Sequence, residues 1–384
     1  MLKVTSIITT PVSEDSMADL PSHGCRQPST ESSRGIKVGS RKSQLALIQT
    51  QTVIDALKGK CDDEITIVKK DTIGDKNLDN PLYAIDSKNL FTKELEDALL
   101  NGDVDFLVHS LKDLPTCLDD RFVVAAILKR DSPYDALVMH RSSDCKDLAL
   151  LPPGSVIGTS SLRRIAQLKR KYPHLVFESI RGNLNTRFKK LDESNTYNAM
   201  ILAVAGLDRM NMSHRITKVL EEDECMYAVS QGAICVECRR DDEKMRQILA
   251  SINDEETVLR CVAERTLLKK MEGGCSVPIG TKTTIENNTL TIKAGIFSKD
   301  GPECIIDVAE VQLPGDEEPP LKKDDLGEAD YTHIVAPNIS TGRLKAARNV
   351  GIELAEKLMT EDGRKILAAA KQAVAKIKDI CKKT

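Results

Sequence analysis

The sequence predicts an α/β protein with mainly parallel sheets in two lobes, followed by a third, smaller α+β domain. Short apolar runs alternate with helix-period segments from about residue 36 to 130, and the alternation restarts at about 134 and runs to 228. After residue 255 the order changes to one long helix, then strands, then a final amphipathic helix.

In the first stretch IKVGS reads as a strand, Lys42 to Leu57 as a helix, EITIVKK as a strand and Phe91 to Leu100 as a helix, with VDFLVHS and FVVAAIL as further strands. The second repeats the pattern with DALVMH, SVIGTS, a helix from Leu162 to Lys171, LVFESIR, a helix from Asn185 to Leu191, and AMILAVAG. The third opens with a helix containing VLRCVAERTLLKKM and continues with strands such as LTIKAGIFS. Residues 1–34 are rich in Ser, Thr and Pro without apolar periodicity, which predicts a disordered tail. Residues 313–332 are acidic and Pro-rich, the pattern of a surface insertion.

The chain has 384 residues, 41% of them hydrophobic, enough for two or three cores. With 3% aromatic residues and no Trp, those cores must rest on Leu, Ile, Val and Ala. A formal charge of −3 supplies no global attraction to nucleic acid or anionic membranes, so any anion site must be local. Eleven cysteines scattered over a long chain do not form a disulfide framework and point to a reducing compartment. The N-terminus has no signal-peptide pattern, and Glu14, Asp15, Asp19 and Glu31 oppose a matrix-targeting peptide. No apolar run reaches 18 residues. The expectation is a soluble cytoplasmic protein.

Ligands of α/β sheets bind where strands end and helices begin. Four such junctions are basic: VGSRKSQLAL with Arg41 and Ser43, IGTSSLRR with Thr159, Ser160 and Ser161 as candidate caps before Arg163 and Arg164, SIRGNLNTR with Arg181 and Arg187, and AVAGLDR with Arg209. Basic side chains in a helix's first turn oppose its dipole, so a bound anion is one reason for Arg163 and Arg164. A guanidinium matches a carboxylate fork to fork. Taken singly, each arginine reads equally well as a solvated charge; together they argue for an anion site. The run RRIAQLKRKYPH has no interleaved aromatic platform, which argues against nucleic acid.

In VDFLVHSLKDLPT the residues Lys112 and Asp113 follow a strand, where an α/β site would lie; Asp113 is an acid–base candidate or a turn residue, and His109 is expected to be structural. Cys235 and Cys238 form C-V-E-C without a partner pair, so strand residues are expected rather than zinc ligands, and Cys261 is expected to be packed in its helix. Cys275, in MEGGCSVPIG, follows two glycines and precedes Pro278, a turn that displays a thiol for covalent chemistry.

The motifs VGSRKSQLA, NLFTKELEDALL, VDFLVHSLKDLPT, IGTSSLRR, IRGNLNTR, AVAGLDR, QGAI and EGGCSVPIG, in this order from about Ile36 onward, closely resemble the porphobilinogen deaminase family. The resemblance implies two periplasmic-binding-protein-like lobes, 36–130 with a return segment at 232–252, and 134–228. A third domain at 256–384 would carry the cofactor cysteine, with hinges near 131 and 230. It implies a dipyrromethane cofactor joined to Cys275 by a thioether and made from the enzyme's own substrate. It implies condensation of four porphobilinogen molecules onto that primer with loss of ammonia, then hydrolytic release of hydroxymethylbilane. Asp113 would be catalytic. Lys112, Ser160, Ser161, Arg163, Arg164, Arg187, Arg209 and Gln231 would hold the cofactor, and Arg41, Ser43 and Arg181 the substrate. No metal, nucleic acid or membrane partner is implied, and a monomer is expected. Ser230 and Cys235 stand where the family commonly has glycine, which puts flexibility near the hinge in question, and Asn89 replaces a residue that is often glycine. A rival reading is a two-lobed anion-binding protein without catalysis.

Overall fold

The computed structural model describes residues 35–72, 74, 92–271, 277–299, 302–315 and 331–381. The tail at 1–34, Asn89, Cys275 and most of the acidic insertion, residues 316–330, lie outside the described residues.

The first stretch supplies β1 (Ile36–Arg41), β2 (Ile65–Lys70), β3 (Phe106–Ser110) and β4 (Phe122–Ile127). The second supplies β5 (Asp135–Met139), β6 (Val156–Gly158), β7 (Val176–Glu178), β8 (Ala199–Ala203) and β9 (Lys218–Leu220), and the chain then returns as β10 (Ile234–Arg239). Two sheets result, ordered β2-β1-β3-β10-β4 and β7-β6-β8-β5-β9. They share one plan. In each, the fourth strand runs against its neighbours, β10 against β3 and β4 and β5 against β8 and β9. The remaining pairs are parallel. The expectation of mainly parallel sheets is thus amended by one reversed strand in each, the strand that enters after the chain has crossed between lobes. Periodicity is blind to this, because a doubly covered strand reads as an apolar run in either direction.

The helix Leu162–Lys171 has the expected bounds, and the first helix starts at Gln44 because the Ser43 hydroxyl accepts from the Ala46 amide at 3.4 Å as its N-cap. After β8 the chain folds at once into a short helix, Val204–Arg209, where AVAG was read as strand. The third unit is a meander of β11 (Ile279–Glu286), β12 (Thr289–Phe297) and β13 (Cys304–Gln312). Asn287 and Asn288 make its first turn with φ of 48° and 62°, the left-handed pair that a two-residue hairpin loop requires. The expected single final helix is two, Thr341–Leu358 and Glu361–Cys381; an interruption this short leaves the helical period nearly in phase.

The helix Glu255–Lys270 is covered on several faces and ties the third unit to the first lobe. One apolar cluster runs from Leu111, Leu114 and Ile127 through Val258, Val262 and Leu267 to Ile292 and Ile296. Within it Glu264 is fully buried. Its carboxylate accepts from Arg130 Nη1 at 2.6 Å and Nη2 at 3.1 Å, from the Ser230 amide at 2.6 Å and from Thr283 Oγ1 at 2.6 Å. Arg130 and Ser230 are the two places where the chain passes between lobes, so one carboxylate holds both crossings. Burial opposes its charge, but Arg130 and these donors hold Glu264 below the usual carboxylate range. Replacing Glu264 by Ala strands a buried guanidinium. The expected cost is about 3–5 kcal/mol, read from the shift in the urea midpoint.

Candidate functional site

β3 ends at Ser110 and the chain turns once through Leu111–Asp113. This turn is held from outside: Leu111 donates its amide to Ala233 at 3.0 Å, and the buried Arg265 donates to the carbonyls of Leu114 at 3.0 Å and Pro115 at 2.6 Å. Arg265, read in sequence only as part of an apolar helix, thereby fixes the segment that carries Lys112 and Asp113. Asp113 is exposed at a pocket lined also by Arg41, Gln49, Thr92, His109 and Ser110. Gln49 reaches Ser110 Oγ at 2.8 Å, and His109 Nε2 meets the buried Glu237 at 3.0 Å. His109 is thus a paired strand residue whose edge faces the pocket.

Lys112 donates to Gln231 Oε1 at 3.3 Å. Burial, with Arg164 and Arg163 nearby, pushes its ammonium down to about 8 against the pull of Asp113 and Asp135. Gln231 uses its amide nitrogen on Pro133 O at 2.6 Å and on Asp135 Oδ1 at 2.9 Å. Asp135, the first residue of β5 and fully buried, accepts from Arg163 at 2.8 Å and Arg164 at 2.6 Å. Sequence reasoning missed Asp135. The two arginines therefore answer an anion that the chain itself provides. Arg163 also donates to Met226 O at 2.5 Å, and Arg164 to Ile201 O at 2.8 Å. The Nε atom of each remains buried without a partner among the described residues.

Ser161 occupies the N-cap position of the helix Leu162–Lys171, but its hydroxyl makes no capping bond, contrary to the expectation. Ser160 Oγ instead lies 2.8 Å from Ser179 Oγ and donates to Ile180 O at 3.0 Å. Arg181 is buried, and desolvation depresses its guanidinium. Arg187 Nε donates to Gly182 O at 2.8 Å. Burial, then Arg164 and Arg181, press Arg187 down to about 10, the signature of cations sharing one poorly solvated space. Arg209 stands at the crossing between lobes, donating to Asp131 Oδ2 at 2.9 Å and to Gly232 O at 2.6 Å. Ser230 beside it has φ 61°, a strained conformation that glycine would adopt freely. Cys235 and Cys238 lie on β10 in different apolar clusters, so they do not share a site. Cys261 is packed, and burial raises its thiol to about 11. Met271 and Val277, which flank the segment holding Cys275, are both buried in the large cluster.

A two-lobed α/β fold that gathers guanidinium and ammonium groups around one turn defines a class of protein suited to an anionic ligand. The family model "Porphobilinogen deaminase, dipyromethane cofactor binding domain" matches residues 36–247, and the family's C-terminal domain matches 258–321. The chain is 48% identical over 275 residues to the porphobilinogen deaminase of Nostoc sp., covering 71% of this chain and 85% of that protein. Its identity to the Yarrowia lipolytica porphobilinogen deaminase is 50% over 275 residues, covering 70% and 81%. The corresponding Dictyostelium discoideum protein is 48% identical over 278 residues, covering 70% and 85%. The solved methionine binding protein MetQ is similar at 13% identity with a TM-score of 0.37, covering 60% of this chain and 94% of that one. The chain belongs to the porphobilinogen deaminase family and is an enzyme, a transferase of tetrapyrrole biosynthesis.

The donor set fits the family's cofactor. Each pyrrole of a dipyrromethane carries two carboxylate arms, and Arg163 and Arg164 keep unpartnered buried Nε–H groups beside Lys112 and Arg187. Because Lys112 is held down to about 8, its charge is present at neutral pH and lost as the pH rises through that value. Acetylation of the Lys112 amine by acetic anhydride should therefore rise by about 10-fold in the wild type between pH 7 and 9.5 and level off above that value, read by peptide mass spectrometry.

Proposed function

We propose that the chain condenses four porphobilinogen molecules head to tail on a dipyrromethane primer, with loss of one ammonia each time, and then hydrolyses off hydroxymethylbilane. Family membership supports the reaction, and the turn at Lys112 and Asp113 supports the assignment of roles. An exposed carboxylate there stands beside an ammonium of lowered basicity, at the edge of a group of buried arginines.

In this reading Cys275 bears the primer through a thioether, and the primer supplies the free pyrrole carbon to which units are added. Asp113 faces the cation left on porphobilinogen as ammonia departs, and stabilises it by proximity of opposite charge. The same carboxylate stabilises the second cation, formed when the free pyrrole carbon attacks, and accepts the proton that carbon then loses. Arg41, Ser43 and Arg181 hold the carboxylates of the incoming molecule. Lys112, Ser160, Ser161, Arg163, Arg164, Arg187, Arg209 and Gln231 hold those already joined.

No helix among the described residues is long and apolar enough to cross a membrane. We read the enzyme as a monomer of the reducing cytoplasm, where free thiols such as Cys61, Cys117, Cys145 and Cys304 stay reduced.

Asp113→Ala should fold normally and lose about 100-fold to 10,000-fold in hydroxymethylbilane formation, the usual contribution of a positioned acid–base group. Near-normal turnover would remove Asp113 from the chemistry. The denatured wild-type chain should weigh more than its sequence by two linked pyrrole units, and Cys275→Ser should not. An unmodified wild type that stays unmodified after incubation with porphobilinogen would overturn the covalent primer.

A further inference from the structure

We propose that Asp135 is a positioning residue of this enzyme: one buried carboxylate that aims Arg163 and Arg164 and, through Gln231, governs the charge on Lys112. The inference rests on reading those cations as the groups that hold the ligand's carboxylates.

The geometry is a chain of contacts across the two lobes. Lys112 lies on the turn after β3 in the first lobe, 3.3 Å from Gln231 Oε1. Gln231 stands at the crossing, 2.9 Å from Asp135 Oδ1. Asp135 begins β5 of the second lobe and binds Arg164 through Oδ1 at 2.6 Å and Arg163 through Oδ2 at 2.8 Å. Each carboxylate oxygen is thereby assigned to one arginine, and Gln231 shares Oδ1. Backbone carbonyls complete the fixation, Met226 O for Arg163 and Ile201 O for Arg164. Neither guanidinium can rotate about its axis without breaking two bonds at once.

Charge balance gives the carboxylate its second effect. The groups facing Lys112 are Asp113 on its own turn, Arg163 and Arg164 from the helix Leu162–Lys171, Asp135 from β5, and the neutral Gln231. The groups facing Asp135 are Arg163, Arg164, Gln231 and the Cys225 thiol. Three cations therefore share one buried anion. Burial would raise Asp135, but Arg163 and Arg164 more than offset it and hold it ionised far below the usual carboxylate range. Neutralising it leaves two adjacent buried guanidiniums without a counter-charge and removes one of the two anions that keep Lys112 protonated. The surplus positive charge left for a ligand is thus metered by Asp135, although nothing in the structure places it against the ligand.

The test uses the holoenzyme and a readout that needs no substrate: competitive acetylation of Lys112 by acetic anhydride as a function of pH, followed by peptide mass spectrometry. In Asp135→Asn the reactive neutral amine should become more abundant, raising Lys112 labelling at pH 7 by about 5-fold, the effect of a one-unit fall from about 8. Turnover should fall by about 100-fold from misaimed arginines, with KM for porphobilinogen little changed because Arg41, Ser43 and Arg181 hold the incoming molecule. Asp135→Glu should recover part of both. Should Asp135→Asn fail to fold, Gln231→Met cuts the bridge while leaving both ion pairs, and it too should raise Lys112 labelling. Unchanged Lys112 labelling in whichever of the two variants folds would overturn the proposal. Changed labelling with unchanged turnover would support the coupling and instead remove the ligand-holding role assigned to the arginines.

Discussion

The carboxylate of Glu264 is the constraint on which the arrangement of the chain depends. It sits on a helix of the third unit, yet besides Thr283 its donors are Arg130 and Ser230, the residues at the outward and return crossings between lobes. Buried ion pairs of this kind add little net stability compared with an apolar isostere, because desolvation opposes the attraction. What they supply is geometry: an uncompensated charge is so costly that few other arrangements of the three segments are tolerated. The left-handed backbone of Ser230 is held by the same carboxylate, and Gln231 and Gly232 follow directly from it. The third unit therefore reaches the cleft through a strained residue one step away from Gln231.

Around the cleft the physical problem is reversed. The chain gathers Lys112, Arg163, Arg164, Arg181 and Arg187 where water is scarce, and their lowered or internally paired states record the cost. A reaction whose product gains carboxylates with every cycle needs such a surplus. The overall acidity of the chain does not conflict with it, because the field in a poorly solvated cleft is set by local charges.

Much of this was legible in the sequence. Apolar periodicity located most of the strands and helices of both lobes, since a pattern of that length has few other ways to bury itself. Strand direction was not legible: β5 and β10 read as apolar runs that would look the same reversed. Asp135 was hidden because a single Asp at the head of DALVM has the pattern of a turn, and only the fold brings it to arginines some 29 residues away. Arg265 was hidden for the opposite reason, lying on the apolar face of its helix, where a long cation reads as an exception to the stripe rather than as part of a site. Ser161 sits where a cap belongs and caps nothing, since its neighbour Ser160 turns to Ser179 and Ile180. In each case the missing information is a contact distant in sequence.

The reversed strand β10 also dictates an order of assembly. β4 pairs within its sheet only with β10, and β10 is not made until residue 239 has been added. The second sheet, by contrast, draws all its strands from residues 135–220. On a ribosome that emits the chain from its N-terminus, the lobe encoded second is complete first. The lobe encoded first must wait with β3 as an open edge, the kind of edge on which nascent chains aggregate.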